Sequence, residues 1–198
     1  MKRLLIATNN KGKVKELRDL LKDTGIELVT PADINLNLDV IEDGHTYAEN
    51  ATKKAIAFAQ ASDMISLADD SGLEVDALDG APGLYSARYS PKPGASDADR
   101  RAYLLVNLKN KPRPWLAHFH ATIAIATVEK TVQLAEGNCY GEIIHEERGT
   151  GGFGYDPIFL FPELGKTMAE LDMEQKNRLS HRARAVMNAI PILEKLLG

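Results

Sequence analysis

Hydrophobic and polar positions follow two rhythms along this chain. Leu4 to Thr8 is a short apolar run that breaks at Asn9-Asn10-Lys11-Gly12, after which Val14, Leu17, Leu20 and Leu21 recur at helical spacing. Ile26 to Thr30 reads as a second strand ending at Pro31, so the opening residues predict a βαβ unit with a loop at the carboxyl end of the first strand. Such loops commonly hold ligands. Thr46-Tyr47-Ala48-Glu49 matches a capping box, and Ala51, Ala55, Phe58 and Ala59 mark the buried side of a helix running to about Ala61.

Met64 to Ala68 predicts a buried strand that ends in Asp69-Asp70-Ser71-Gly72, where both carboxylates and the hydroxyl would project from a turn. Pro82-Gly83 and Pro91-Lys92-Pro93-Gly94 are loop signals. Asp97 to Leu108 predicts a helix, and Phe119 to Thr127 with Val132 to Tyr140 predict a hairpin turning over Glu129-Lys130. Gly149 to Asp156 is the glycine-dense stretch, and Ser180 to about Leu197 predicts a last helix, bent or restarted at Pro191. No repeat or low-complexity tract interrupts this order. The pattern predicts an α/β protein.

Composition narrows the class. At 198 residues the chain fits one domain, 1–198, with two lobes around a cleft, and 44% hydrophobic with 26% charged residues is ordinary globular usage. The net charge of −4, with basic residues scattered, argues against nucleic-acid binding but leaves room for a local phosphate site. Cys139 is the only cysteine, so no intrachain disulfide forms. The first apolar run is too short for a signal peptide or a membrane span. A cytoplasmic location without membrane attachment is expected.

The segments between elements carry the candidate chemistry. Thr8-Asn9-Asn10-Lys11-Gly12-Lys13 sits between strand and helix, where backbone N–H groups and two lysines would face an anion; an ordinary βα turn with solvated lysines is the plainer alternative. The glycine pattern of a Walker A loop is absent, and Gly165-Lys166-Thr167 is a decoy because Leu160 stands where the first glycine belongs. Glu42, Asp69 and Asp70 are candidate ligands for a magnesium ion carried by a triphosphate, although Asp-Asp-Ser-Gly also reads as a simple turn. Asn50 and Lys54 share one helix face beside the pair Glu49 and Lys53, which could be a polar edge reaching a ligand or merely a solvated surface.

Phe153-Gly154-Tyr155-Asp156 offers close backbone approach and aromatic rings for a base, or a tight loop whose rings are core. Lys176, His181 and Arg182 put positive charge around the start of the last helix, where the macrodipole disfavours cations, so a compensating anion or acceptor-rich ligand is expected. His118 and His120 share a strand face but lack a third zinc ligand, and Ser71 lacks the Gly-x-Ser-x-Gly setting of a nucleophile.

The motifs Thr8–Lys13, Glu49-Asn50-Ala51, Ala68–Leu73, Gly80–Gly83, Tyr85–Tyr89, Gly149–Pro157 and Ser180-His181-Arg182, in this order and spacing, resemble the inosine triphosphate pyrophosphatase family over nearly the full chain. The resemblance implies a long central mixed sheet flanked by helices, two lobes around a substrate cleft, a homodimer, and hydrolysis of ITP, dITP and XTP to the monophosphate and pyrophosphate. It implies that Thr8, Asn9, Asn10, Lys11, Gly12, Lys13 and Lys54 hold the triphosphate, and that Mg2+ sits on Glu42 and Asp70. Asp70 would be the general base, with Ser71 beside it on the substrate. Phe153, Gly154, Tyr155, Asp156, Lys176, His181 and Arg182 would surround base and sugar. Maf-like nucleotide pyrophosphatases are the competing enzymes, disfavoured by the Gly-Gly-Phe-Gly-Tyr-Asp and Ser-His-Arg motifs. A nucleotide sensor without turnover is the competing class, disfavoured by the carboxylates Glu42 and Asp70.

Overall fold

A computed structural model describes residues 2–198. The βαβ opening is present: β1 (Arg3–Ile6) and β2 (Glu27–Val29) pair in parallel, Leu4 opposite Leu28, with α1 (Lys11–Leu21) connecting them. β1 also pairs in parallel with β3 (Ser66–Val75), reached through α2 (Tyr47–Ser62). After α3 (Asp97–Leu108) come β4 (Trp115–Ala126), β5 (Val132–Ile143), β6 (Phe159–Phe161) and β7 (Lys166–Thr167), then α4 (Met173–Leu179) and α5 (His181–Leu197). The seven strands form one sheet in the order β2-β1-β3-β4-β5-β6-β7. It is mixed, since β6 runs antiparallel to both β5 and β7.

The chain forms two compact units. The first comprises the residues up to Asp70 together with Ala121–Gly137 and Arg182–Gly198. Its strands are buried on both faces. Leu4, Ile6, Leu67, Ile123 and Ile125 pack with Leu17 and Leu21 of α1 and Ala185, Ala189 and Leu193 of α5. The alternate residues Leu5, Ala7, Ala68, Ala124 and Ala126 pack with Ala51, Ala55, Phe58 and Ala59 of α2. Successive strand side chains point to opposite faces, so a strand covered on both sides reads as a continuous apolar run. The second unit comprises Ser71–His120 and Asn138–His181. Here Trp115, Ala117 and Phe119 enter a core with Cys139, Phe159 and Met168, while Leu116 is exposed and His118 half-exposed.

Three expectations are corrected. The stretch Asp69-Asp70-Ser71-Gly72 lies inside β3 rather than in a turn after it, because buried partners on both sides of the strand override the turn preference of Asp and Ser. The last helix is continuous through Pro191 rather than restarted there; Ala189 and Leu193 are fully buried on either side and anchor the segment despite the lost donor. Glu49 does not close the capping box: Thr46 accepts from Glu49 N–H, but the Glu49 carboxylate takes His45 N–H at 2.7 Å. β6, β7 and α4 have no counterpart in the pattern, the two strands being too short to show a period.

Candidate active site

In the first unit, the turn after β1 is organised by Asn10. As N-cap of α1 its side-chain oxygen accepts from Gly12 N–H at 2.9 Å and Lys13 N–H at 3.1 Å, and its own N–H reaches Thr8 Oγ1 at 3.2 Å. The cap therefore already holds part of the N–H cradle that the sequence offered to an anion. The lysines diverge, since residues two apart on a helix point to nearly opposite sides. Lys11 lines an open depression of about 460 Å³ together with Thr8, Asn9, Lys15, Arg18 and Thr30. Lys13 turns inward and forms an ion pair with Asp69.

β3 carries the two carboxylates to opposite faces. Asp69 follows Leu67 onto the side of α1 and α5, where the Arg182 guanidinium donates to it from Nε at 3.0 Å and from a terminal nitrogen at 3.3 Å. Arg182 also donates to Glu16 of α1, and all three side chains are buried. Burial by itself raises the Asp69 pKa, but the charges of Arg182 and Lys13 and the hydrogen bonds from both outweigh it and hold the carboxyl well below its usual range. Burial pushes the Lys13 ammonium down; Asp69 opposes this, and Arg182 and Lys54 reinforce it. The anions that compensate Arg182 at the start of α5 are thus supplied by the chain itself.

Asp70 follows Ala68 onto the side of α2. Burial pushes its carboxyl pKa up; Lys54 and Lys13 pull it back, Glu42 adds to the rise, and a hydrogen bond with Asn50 lowers it again. The net direction is upward, opposite to its neighbour in sequence. Lys54 is buried, donates to the backbone carbonyl of Asp69 at 2.9 Å, and pairs with Glu42 at 2.7 Å. The segment bearing Glu42 is pinned to α2. Asn50 accepts Gly44 N–H at 2.8 Å, Lys53 pairs with Asp43 at 2.5 Å, and Glu49 takes His45 N–H. Gly44 permits this approach, because a Cβ there would meet the Asn50 oxygen at 2.6 Å. The face bearing Asn50 and Lys54 is therefore buried, whereas Lys53 stays at the surface.

In the second unit, the glycine-dense segment is gripped by buried charge. Asp156 accepts Phe153 N–H at 3.0 Å and pairs with Lys176 of α4 at 2.8 Å, both side chains being buried. The Lys176 ammonium lies 5.6 Å from the centroid of the half-buried Phe153 ring. Gly152 has φ +73°, and a Cβ on it would fall 1.9 Å from the Asp156 carboxylate. Tyr155 is core: it is buried and its hydroxyl donates to Ser86 O at 2.9 Å. His181 stacks on Phe119 with centroids 4.7 Å apart. Ser71 is half-buried on β3.

The predicted residues thus fall into a cation–carboxylate group around β3 and an aromatic group around Phe153, with Tyr155 a core member and His181 on Phe119. Sequence reasoning passed over Glu16, although a charged residue on the apolar stripe of Leu17 and Leu20 is a readable signal. It also passed over Asp97 and Arg101 of α3, which bond the N–H and the C=O of Gly154. Among the described residues no group of three or more His, Cys, Asp or Glu side chains assembles as a metal site. The Glu42–Asp70 pair suits an ion that arrives with its phosphates, since magnesium takes few protein ligands and completes its shell with phosphate and water.

Comparison with known proteins places the whole chain. It is 50% identical over 195 residues to the dITP/XTP pyrophosphatase of Desulforamulus reducens, covering 98% of this chain and 96% of that one. It is 46% identical to the dITP/XTP pyrophosphatase of Listeria monocytogenes serotype 4b, covering 100% and 96%. Among solved structures, the Ham1 protein of Staphylococcus aureus superposes with a TM-score of 0.85 at 38% identity, covering 98% of this chain and all of that one. A HAM1 protein of Coxiella burnetii gives a TM-score of 0.88 at 37% identity, with the same coverage. The Ham1 family model matches residues 4–192, and this chain belongs to the Ham1 family.

Proposed function

We propose that this protein hydrolyses the non-standard purine nucleoside triphosphates ITP, dITP and XTP to the monophosphate and pyrophosphate, using Mg2+. The observation that carries the reading is the environment of Asp70: a buried carboxyl beside a second carboxylate, Glu42, and the lysines Lys13 and Lys54. A carboxylate so placed can orient a water and take its proton. Relatives named dITP/XTP pyrophosphatases, matched over nearly the full length, supply the substrate class.

In this proposal Asp70 orients a water in line with the α-phosphorus and takes its proton, while the bond from that phosphorus to the bridging oxygen breaks and pyrophosphate leaves. Glu42 and Asp70 would hold the magnesium ion, which when bound screens charge developing on the phosphate oxygens. Thr8, Asn9, Asn10, Lys11, Gly12, Lys13 and Lys54 take the triphosphate, and Ser71 lies beside it. Phe153, Gly154, Tyr155 and Asp156, with Lys176, His181 and Arg182, serve base and sugar. Tyr155 acts there by holding the segment from the core. Arg182 acts through the carboxylates of Asp69 and Glu16 that it binds. The working form is a cytoplasmic homodimer, checked by sedimentation at micromolar protein.

Hypoxanthine and xanthine present an acceptor at position 6 where adenine presents a donor, so a site that reads this position with a hydrogen-bond donor would favour ITP and XTP over ATP. A substrate panel with pyrophosphate detection, run in 18O-labelled water, tests the proposal. ITP turnover with label in the monophosphate is expected. Label in pyrophosphate, or equal efficiency on ITP and ATP, overturns it.

A further inference from the structure

α3 carries no role in the reading so far, yet two of its side chains hold the N–H and the C=O of one residue of the glycine-dense segment, and so the two peptide groups that flank it. Asp97 accepts Gly154 N–H at 2.8 Å, and Arg101 donates from a terminal nitrogen to Gly154 O at 2.7 Å. Arg101 is itself fixed by Glu147, which takes its Nε and its other terminal nitrogen at 2.8 Å each. That fork is the bidentate geometry that makes arginine a rigid positioner. Asp97 also pairs with Arg100, so it is braced from its own helix. Spaced i,i+4, Asp97 and Arg101 would by sequence form an ordinary surface ion pair. Instead they straddle one residue of a distant loop.

That residue needs holding. Gly154 has φ +61°, a conformation that side chains rarely adopt, and a Cβ there would meet no atom within 4 Å, so no contact at that side of the residue restrains it. Its neighbours Phe153 and Tyr155 carry the rings. Burial would raise the Asp97 pKa, but the Gly154 N–H and the Arg100 and Arg101 charges together lower it, so Asp97 is ionised and the acceptor is permanently present near neutral pH.

We propose that Asp97 and Arg101 are positioning residues for nucleobase recognition, clamping the peptide groups on either side of Gly154 so that Phe153 is presented in one orientation. The inference rests on the proposed role of the Phe153–Asp156 segment in binding the purine. A misplaced recognition element is felt in affinity for the part of the substrate it touches, and less in the chemical step.

The test uses full-length Arg101→Ala, Asp97→Ala and Asp97→Asn variants with ITP, alongside hydrogen–deuterium exchange on the nucleotide-free proteins. In both alanine variants the amides of residues 153–155 should exchange faster while the β1 and β4 amides stay unchanged. KM for ITP should rise about tenfold with kcat within about threefold, and the ITP-to-ATP efficiency ratio should fall. Asp97→Asn keeps an acceptor oxygen and should recover most of the lost affinity and protection. Unchanged exchange at 153–155 overturns the clamp. Faster exchange with an unaltered KM, in a protein whose wild type turns over ITP, overturns its link to the base. Absence of ITP turnover in the wild type overturns the proposed activity, leaving exchange to judge the clamp.

Discussion

The two faces of β3 in the first unit differ more than any pair of neighbouring residues in the sequence suggests. On the α1 and α5 side, Asp69 meets Arg182 and Lys13 in a buried, balanced network, and its carboxyl pKa is driven down. On the α2 side, Asp70 is buried beside another carboxylate, and its pKa is driven up. The chemistry of the side chains is identical and only the strand pleat separates them. One face uses a carboxylate as a structural counter-charge. The other keeps one in an unfavourable setting, as functional sites often do.

The strongest test of this contrast is Asp70→Asn. Turnover of ITP should fall by a factor on the order of 10³ or more, because the base is lost. Thermal stability of the nucleotide-free protein should hold or rise by a few degrees, measured by calorimetry, since a disfavoured buried charge is removed. A destabilised Asp70→Asn variant would place Asp70 in the same structural class as Asp69.

Asp69→Asn should behave in the opposite way. It leaves Arg182 and Lys13 buried without their shared counter-charge, at a cost of roughly 3–5 kcal/mol. In a chain of this size that lowers the melting temperature by ~10 °C. An unchanged melting temperature would mean that Glu16 alone balances Arg182.

The pH dependence of stability separates the two faces with smaller effects. Asp69 has its pKa depressed on folding, so its stabilisation is present above its ordinary value of 3.8 and is lost as pH falls toward the folded value. Asp70 has its pKa raised from 3.8, so its ionisation costs stability increasingly as pH rises from there through the folded value. The deficit of Asp69→Asn should therefore shrink in acid, and the gain of Asp70→Asn should vanish there. Denaturant titrations between acid and neutral pH check both signs.

The smallest expected effect comes from Lys53, next to Lys54 in sequence but 46% exposed and paired with a surface carboxylate. Lys53→Ala should leave kcat/KM within about twofold of the unaltered protein, as exposed ion pairs contribute little. A larger loss would show that the Glu42 segment depends on Asp43.

Much of the framework was legible. Thr46 caps α2 where the pattern expects it, and Val14, Leu17, Leu20 and Leu21 mark the buried side of α1. The pattern marks Asp69 and Asp70 as charged groups after a buried strand, but it ends β3 at Ala68, whereas the strand runs on to Val75. Turn propensity at Asp-Asp-Ser-Gly is a local quantity, and the buried Arg182 that overrides it lies 113 residues away. The grip of α3 on Gly154 was invisible for the same reason.

By itself the sequence determined the alternation of helix and strand, the caps, the continuous apolar runs of strands covered on both sides, and the motif order that marks the family. These are set by neighbours a few residues apart, through periodicity and short-range hydrogen bonds. Only the tertiary structure decided which way each carboxylate of Asp69-Asp70 faces and what meets it there. Ionisation depends on burial and on charges brought from α1, α2 and α5, and Coulomb interactions at a few ångströms follow spatial distance, which the order of residues does not contain.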